Sequence, residues 1–446
     1  MARNKFYQPF DRKAVLLMRT EKGVRLLFQK SPAIDRPTTV LTDVAQVTLP
    51  YTYFSDIPVL STVSLYDTVR RGTPLSSADD ACGPVLSSVM GAVSGERVVS
   101  HPLYGELRCA VIDRLPSEPE PEMPAPHTDA FTVEEICEAA EWAHIIDELD
   151  GVPLALKLRD WQQGKCDYLV ADAVQIQPYE SSAWAVLCDY AEQAVEGLAL
   201  AARAAGTRRY HMAVCLSGQR RRSIELRVGK EHLFQTDSYY PVVDLVRRSH
   251  LGGRHTVSPD ATVCRVGLQA CLALYRALYF HEPQYCGTLT VAGDAVRSPQ
   301  NVTVPFGTSV QDVLTHCGLS EEPTYLIIGE MMSGVAAAAQ DIPVLPGMTC
   351  ILAFTASAIP TVTPRTCIGC GRCAQVCHKG LLPYEIVRRF RNMHYERLSS
   401  LNAAACDGCA ACSYVCPCGI DLAEIIAQAS RSDNTILLEL EDDSDA

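Results

Sequence analysis

Two cysteine runs near the C-terminus decide how this sequence is interpreted. They read Cys367-Ile-Gly-Cys370-Gly-Arg-Cys373-Ala-Gln-Val-Cys377 and Cys406-Asp-Gly-Cys409-Ala-Ala-Cys412-Ser-Tyr-Val-Cys416-Pro417. Both have the spacing C-x2-C-x2-C-x3-C. Three thiolates on a tight, glycine-containing loop can each reach a different iron of one cubane cluster, whereas a fourth thiolate, held past a half-turn, can reach a second cluster. The spacing therefore predicts two iron–sulfur sites that exchange their outer cysteines.

The spacing resembles that of bacterial two-cluster ferredoxins, and the second run keeps the proline that usually follows the last cysteine. We predict that one [4Fe–4S] cluster, cluster 1, is bound by Cys367, Cys370, Cys373 and Cys416. Cluster 2 takes the other four thiols, those of Cys406, Cys409, Cys412 and Cys377. The function that this pattern indicates is electron transfer.

Two other uses of the cysteines are less consistent with the spacing. Structural zinc also accepts four thiolates, but zinc sites usually consist of two C-x2-C pairs separated by a longer stretch. Disulfides are disfavoured because the loops between neighbouring cysteines are too short for comfortable bridges. His378 stands where the first run would normally have proline. Since that run already supplies four thiols, we interpret His378 as a tolerated turn substitution rather than a ligand.

The composition predicts a soluble protein with a large core. Its 446 residues are 48% hydrophobic, and no signal-peptide pattern follows Met1. Free thiols beside oxygen-sensitive clusters favour a reducing cytoplasm in an anaerobic organism. The longest apolar run, residues 350–360, is about half of the ~20 residues that a membrane span needs. A net charge of −13 argues against nucleic acid as a partner, because phosphate contacts need concentrated Lys and Arg.

Shifts in composition predict a multidomain protein of mixed α+β and α/β class. The predicted parts are an N-terminal β-rich, barrel-sandwich-like domain over 1–115, a Pro/Glu linker over 116–129, an α/β domain over 130–283, a β-grasp domain over 284–350, a two-cluster ferredoxin-type domain over 360–430 and an acidic tail over 431–446. The β-grasp segment resembles the module called SLBB, for which we expect a scaffold role.

Local signals place several helices. Thr132-Val-Glu-Glu135 is a capping box and predicts that a helix begins there. Long apolar patterns predict helices over 182–206 and 262–279, and residues 165–171 are typical of a buried strand. A further helix is expected over 384–401, between the two cysteine runs, with Arg388, Arg389 and Arg391 forming a solvated basic face.

Four segments outside the cysteine runs carry a family resemblance. They are Pro84-Val-Leu-Ser-Ser-Val-Met-Gly91, Val170-Ala-Asp-Ala-Val-Gln-Ile-Gln-Pro-Tyr179, Gly293-Asp-Ala-Val-Arg-Ser-Pro-Gln-Asn-Val302 and Ile328-Gly-Glu-Met-Met-Ser-Gly334. Their order resembles the C subunit of the Rnf electron-transport complex, whose relatives include a protein associated with proline reductase and a cobalamin reductase. The resemblance spans roughly residues 40–430. It implies an α/β domain that handles flavin and NADH, is related to the flavin subunit of respiratory complex I, and is linked to two [4Fe–4S] clusters.

The sequence departs from this family at the flavin and nucleotide site. The family has the loop G-x-G-G-A-x-F-P-T before Lys157, whereas this chain has Ile145-Ile-Asp-Glu-Leu-Asp-Gly-Val. Glycines let backbone amides close on a phosphate, and here acidic side chains stand in their place. The family's E-x-E-P is Gln175-Ile-Gln177-Pro178, which loses two carboxylates. We expect that the site near Lys157, Gln175 and Gln177 is degenerate and that FMN and NADH binding is lost; the alternative is a misaligned loop.

These observations favour a cytoplasmic iron–sulfur electron-transfer subunit of a larger redox complex. We expect its partners to be other redox subunits, one of them a flavoprotein, and expect no membrane span, although peripheral association with a membrane complex is compatible with the sequence. No catalytic residue is predicted, and NADH dehydrogenase activity is not expected. The alternatives are a complete NADH-oxidising flavoprotein and an adaptor whose clusters are structural.

Overall fold

The computed structural model describes residues 23–26, 30, 33–53, 59–77, 84–116, 131–236, 239–241, 261–358, 363–395 and 398–431. The predicted Pro/Glu linker, apart from its first residue, and the predicted acidic tail, apart from its first residue, lie outside these ranges. The chain divides into two compact units. The larger comprises the described part of Phe28–Asp237 and Asp244–Thr355, and the smaller includes the described part of Ala356–Ala446.

The strands, in chain order, are β1 (Thr39–Val40), β2 (Gln46–Pro50), β3 (Thr68–Val69), β4 (Gly91–His101), β5 (Gly105–Arg114), β6 (Tyr168–Ala173), β7 (Tyr210–Val214), β8 (Leu233–Gln235), β9 (Val263–Gly267), β10 (Cys286–Ala292), β11 (Gln300–Pro305), β12 (Tyr325–Ile328), β13 (Val335–Ala337) and β14 (Cys350–Phe354). The helices are α1 (Val133–Trp142), α2 (Leu154–Gln163), α3 (Ser182–Ala204), α4 (Gly218–Val228), α5 (Leu268–Phe280), α6 (Val310–His316), α7 (Arg372–Val376), α8 (Pro383–Arg391), α9 (Ala411–Tyr414) and α10 (422–431).

A parallel four-stranded sheet, in the order β8-β7-β6-β9, forms the α/β part of the larger unit. Its central strand is apolar and fully buried at Leu169, Val170 and Ala171, as expected for a sheet covered on both faces. Helices α3 and α5 pack closely, and a Cβ atom at Gly197 would overlap the Cys271 carbonyl oxygen. A glycine is therefore needed at this helix crossing.

The prediction of a helix over 262–279 is wrong in its first part. Residues 263–267 form β9, which pairs in parallel with β6, and the helix begins only at Leu268. By contrast, the capping box is confirmed: the Thr132 side chain accepts from the backbone of Glu135, and the Glu135 carboxylate accepts from the backbone N–H of Thr132.

Two further sheets complete the larger unit. An antiparallel sheet has the order β2-β5-β4-β3, and a mixed six-stranded sheet has the order β1-β11-β10-β14-β12-β13. Buried apolar residues of both sheets, among them Leu49, Ile112 and Val302, belong to one continuous core. The chain is therefore a mixed α/β multidomain protein.

In residues 363–395 and 398–431, the smaller unit forms helices around the two cysteine runs. The predicted helix over 384–401 is too long, because α8 ends at Arg391 and residues 399–401 form a separate 3-10 turn. Its basic face is also partly paired, since Glu385 forms ion pairs with Arg388 and Arg389. Within the described ranges, none of the helices has the length and apolar character that crossing a membrane requires.

Candidate iron–sulfur sites and a closed nucleotide region

Cysteine side chains from both runs surround a first hollow, which we call site 1. Four of the thiols that line it are the predicted ligands, those of Cys367, Cys370, Cys373 and Cys416, and Cys418 lines it as well. Apolar side chains, including Ile368, Tyr384 and Leu422, form much of the remaining lining. Four thiols around one hollow are a donor set that suits an iron–sulfur cluster.

A second hollow, which we call site 2, is lined by the other four predicted ligands, Cys377, Cys406, Cys409 and Cys412. The fourth cysteine of each run therefore lines the hollow of the other run. Unlike site 1, site 2 has His378, Lys379 and Asp407 in its lining.

The two runs use the same backbone geometry. Gly369 and Gly408 precede the second cysteine of their runs and have φ of 67° and 71°. The residue after that cysteine is also left-handed, with φ of 72° at Gly371 and 57° at Ala410. These two turns direct three thiols of each run toward one hollow, and α7 and α9 begin directly afterward. Ala410 holds the strained conformation without the freedom of glycine.

Burial changes the pKa of two thiols at site 2. It raises the pKa of Cys409 and of Cys412 to about 12, so that neither forms a thiolate readily by itself. A bound iron supplies the positive charge that stabilises the thiolate. Burial therefore argues against a free, reactive thiolate at either cysteine.

Two features of these sites do not follow from the motif spacing. Cys418, a ninth cysteine, is buried and lines site 1. His378 is 5% exposed in its side chain and pairs with Asp407, so it is more than a turn substitution. The spacing could not reveal either contact, although the position of Cys418, two residues after Cys416, is a sequence signal that places it close to the hollow.

Lys157, the basic residue expected at the nucleotide site, is bound within the protein. Its Nζ lies 2.6 Å from Asp147 Oδ2 and 2.8 Å from Asp150 Oδ2. The Asp147 side chain is fully buried. Burial acts to lower the pKa of Lys157, but the two carboxylates outweigh it and raise that pKa. The amine is therefore held as a cation by the acidic stretch itself.

The neighbouring Glu148 reaches the N-terminus of α5. Its Oε1 accepts from the backbone N–H of Gln269 at 2.6 Å, and its Oε2 accepts from that of Ala270 at 3.0 Å. The Asp147 carboxylate accepts from the N–H of Gly267 at 3.0 and 3.1 Å. Free N–H groups at a helix N-terminus attract phosphate and other anions. Here side-chain carboxyls already occupy them.

Burial, with the nearby Asp147 charge, raises the pKa of Glu148 to about 8, although the donated backbone hydrogen bonds act in the opposite direction. Burial also raises the pKa of Asp147, against the effect of Lys157. The carboxyl oxygens of the acidic stretch thus satisfy the N–H donors at the start of α5.

Both glutamines of Gln175-Ile-Gln177-Pro178 are engaged within the protein. The Gln175 amide donates to Glu180 Oε1 at 2.7 Å and to Ser182 Oγ at 2.9 Å, and its oxygen accepts from the backbone N–H of Ala183 at 2.9 Å. These contacts use the amide nitrogen as a donor, which a glutamate could not supply.

Gln177 is similarly held by the segment that follows β12. Its amide nitrogen donates to Glu330 and to Ser333 Oγ, and its oxygen accepts from the backbone N–H of Met332 at 2.8 Å. The residue is only 5% exposed. The polar atoms of both glutamine side chains are thus used by protein partners rather than offered to a ligand.

The comparisons with known proteins agree with the cysteine pattern. The family described as "4Fe-4S dicluster domain" matches residues 366–420. The chain is 26% identical over 348 residues to the C subunit of an ion-translocating oxidoreductase complex from Rhodobacter capsulatus, and the match covers 72% of this chain and 65% of that protein. The chain thus spans slightly less than two thirds of the length of this relative.

Other relatives are matched over more of their length. The C subunit of a Na(+)-translocating ferredoxin:NAD(+) oxidoreductase complex from Acetobacterium woodii is 26% identical over 85% of this chain and 89% of its own. A solved chain of a NAD+-reducing [NiFe]-hydrogenase in the air-oxidised state has a TM-score of 0.46 and 14% identity, with 67% of this chain and 61% of that chain covered. The expected family resemblance is confirmed: the chain is similar over most of its length to C subunits of ion-translocating oxidoreductase complexes, and its residues 366–420 match a 4Fe-4S dicluster domain.

Proposed function

We propose that this chain is an iron–sulfur electron-transfer subunit of a larger redox complex and passes electrons through two [4Fe–4S] clusters. Cluster 1 is bound at site 1 by Cys367, Cys370, Cys373 and Cys416, and cluster 2 at site 2 by Cys406, Cys409, Cys412 and Cys377. The observation that carries the proposal is that each of two separate hollows is lined by three cysteines of one run and the fourth cysteine of the other. Similarity to C subunits of oxidoreductase complexes supports the assignment to a complex.

The second part of the proposal is that this chain binds neither FMN nor NADH. Three observations support it: carboxyl oxygens occupy the N–H donors at the start of α5, Lys157 is neutralised by two aspartates, and both glutamines are engaged within the protein. A ligand phosphate would have to displace Glu148 and meet Asp147. Flavin chemistry then belongs to another chain, a flavoprotein or reductase that exchanges electrons with this one.

The domain assignments follow from the same proposal. Among the described residues, we assign those within 1–115 to a barrel-sandwich-like domain, those within 130–283 to a degenerate flavin-type α/β domain, and 284–350 to an SLBB-type β-grasp domain with a scaffold role. Residues 360–430 form the cluster domain. The chain acts on the cytoplasmic side, associated peripherally with its complex.

Anaerobic purification followed by iron, sulfide, zinc and flavin analysis tests the proposal. We expect about eight irons per chain, from two [4Fe–4S] clusters, and no FMN. Stoichiometric FMN would instead identify a complete NADH-oxidising flavoprotein, and zinc in place of iron would identify structural metal sites. Clusters that cannot be reduced by dithionite would favour an adaptor with structural clusters.

A thermal-shift measurement tests nucleotide binding independently. A ligand at 100 times its dissociation constant adds about 2.7 kcal/mol to the stability of the folded state, which is readily detected as a rise in Tm. We expect no rise with FMN or with NADH at micromolar concentrations. A clear rise with either ligand would show that a different loop does the work of the missing glycines and would overturn the flavin-free part of the proposal.

A further inference from the structure

The two cysteine runs are related position by position, and from the first cysteine to the residue after the fourth, four equivalent positions that line their hollows carry different residues. At two of them site 1 has Gly371 and Arg372 where site 2 has Ala410 and Ala411. The other two, next to the first and the fourth cysteine, differ in polarity. The residue after the fourth cysteine is Pro417 in the second run and His378 in the first; Pro417 lines site 1, and His378 lines site 2. The residue after the first cysteine is Ile368 in the first run and Asp407 in the second, and these two line sites 1 and 2 respectively. Site 1 thus has an apolar pair where site 2 has a polar pair.

The two residues of the polar pair, His378 and Asp407, contact each other, and His378 also contacts Cys409, a predicted ligand of cluster 2. His378 Nε2 lies 2.6 Å from Asp407 Oδ2, and Nδ1 lies 3.9 Å from Cys409 Sγ. The imidazole is almost completely buried, with 5% of its side chain exposed. Its ring is therefore fixed between a carboxylate and a sulfur atom.

This geometry determines what the ring offers to the sulfur once iron is bound. Nε2 faces the Asp407 carboxylate, and Nδ1 faces the Cys409 sulfur. A cysteine that ligates iron is a thiolate, which can only accept a hydrogen bond. Nδ1 is therefore the ring atom that acts as the donor to Cys409 Sγ.

We propose that His378, positioned by Asp407, is a hydrogen-bond donor to Cys409 that raises the reduction potential of the cluster at site 2. The inference rests on the proposed ligation of cluster 2. A reduced cluster carries one more negative charge than an oxidised one, and a hydrogen bond to a ligand sulfur stabilises that extra charge. Pro417 and Ile368, at the equivalent positions of site 1, have no side-chain donor, although Arg372 also lines that site.

The test is an EPR-monitored redox titration of the full-length, cluster-loaded protein, in which both clusters are followed in the same sample. In His378→Pro, which introduces the residue found at the equivalent position of site 1, the ratio of reduced to oxidised cluster 2 at a fixed potential falls about tenfold. For a one-electron couple this is a shift of about 59 mV to lower potential. Cluster 1 keeps its potential and serves as the internal control.

Two more variants separate hydrogen bonding from packing. His378→Phe keeps a ring but lacks the donor, and we expect it to lower the cluster 2 potential as His378→Pro does. In His378→Asn the side-chain amide can occupy the position of Nδ1, and we expect most of the wild-type potential to return. Pro417→Ala, at site 1, leaves cluster 2 unchanged.

The outcomes distinguish this inference from the proposed function. If iron analysis shows that the wild type lacks two clusters, the proposed function fails. If both clusters are present and His378→Phe leaves the cluster 2 potential unchanged, only the role of His378 is overturned. The same conclusion follows if His378→Asn shifts the potential as far as His378→Phe. If His378→Pro fails to assemble cluster 2, the Phe and Asn pair decides the matter.

Discussion

Glu148 Oε1 accepts a hydrogen bond from the backbone N–H of Gln269 at 2.6 Å, across 121 residues of sequence. The contact joins the acidic stretch before α2 to the first turn of α5. A helix N-terminus carries partial positive charge and unsatisfied donors, which is why it binds anions. In this chain a side chain takes that place, so that the donors are satisfied without a ligand.

The first prediction concerns Gly267, the residue before α5. A Cβ atom there would overlap the Glu148 carboxyl and crowd the Asp147 carboxylate. We expect Gly267→Ala to lower the free energy of unfolding by about 2 kcal/mol, as overpacking at a rigid site does. The measurement is chemical denaturation of the cluster-loaded protein. Gly95→Ala is the matched control, because no atom lies within 4 Å of the added Cβ.

The same contact predicts coupling in a double-mutant cycle. Glu148→Ala removes one of the two carboxyls that obstruct a Cβ atom at Gly267. Gly267→Ala should therefore lower the free energy of unfolding by less in that background, with a coupling energy of about 1 kcal/mol. Strictly additive effects would mean that Glu148 does not occupy the α5 N-terminus in solution.

A second prediction is a pH dependence of stability that originates at Glu148. Its pKa rises from an ordinary 4.5 to about 8 in the folded protein, mainly through burial. A carboxyl with a raised folded-state pKa contributes its full stability below pH 4.5 and loses it as pH rises through 8, by at most about 1.4 kcal/mol per pH unit.

Glu148→Gln removes this titration. We expect the Tm of the wild type to fall relative to that of the variant between pH 5 and 8, and the two curves to run parallel above pH 9. A wild-type curve parallel to that of Glu148→Gln across the whole range would contradict the raised pKa.

The cluster motif was predictable because its information is local. Within each run, the spacing and the small residues at Gly369, Gly371 and Gly408 fix the loop, and few distant contacts are required. The contact of His378 with Cys409 was not predictable, since the two residues belong to different runs and meet only when the runs pack together.

Near Lys157, the sequence predicts which residues differ from the family but not which contacts they form. The sequence revealed the loss of glycines before Lys157 and the replacement of two carboxylates by Gln175 and Gln177. It could not show what the acidic side chains do instead, because Glu148 and Gln269 are brought together by the tertiary fold. The prediction that residues 262–267 belong to a helix is wrong because their apolar pattern continues directly into α5. The strand that forms instead depends on pairing with β6, which is a non-local interaction.

A third prediction follows from the donor role of Gln175. Its amide nitrogen lies 2.7 Å from a carboxyl oxygen of Glu180, whose pKa is raised well above the ordinary value by burial and by Glu330. Gln175→Glu would place two carboxyls face to face, and they can coexist only while sharing a proton. We expect Gln175→Glu to lower the free energy of unfolding by about 2 kcal/mol at pH 7.5 and by less at pH 5.

Thermal denaturation at the two pH values measures this effect. Gln311→Glu, at an exposed position of α6, changes the charge equally and should leave Tm almost unaffected. A gain in FMN affinity by Gln175→Glu, without loss of stability, would mean that the glutamine had replaced a working ligand group rather than taken a structural role.

The last prediction tests how the clusters share their cysteines. Cys416 lines site 1, together with the first three cysteines of the other run, although it lies four residues after Cys412 in the chain. Cys416→Ala should therefore remove the EPR signal of the cluster at Cys367, Cys370 and Cys373, and leave that of cluster 2. Cys418→Ala is the matched control, because Cys418 lines the same hollow but stands outside the predicted quartet. We expect this control to retain both signals, with each signal assigned beforehand from variants of the first three cysteines of each run. If Cys416→Ala removes only the signal of the cluster at residues 406–412, the fourth cysteine is a ligand of the cluster of its own run. If Cys416→Ala retains both signals and they are lost only when Cys418 is also replaced, Cys418 is the fourth ligand.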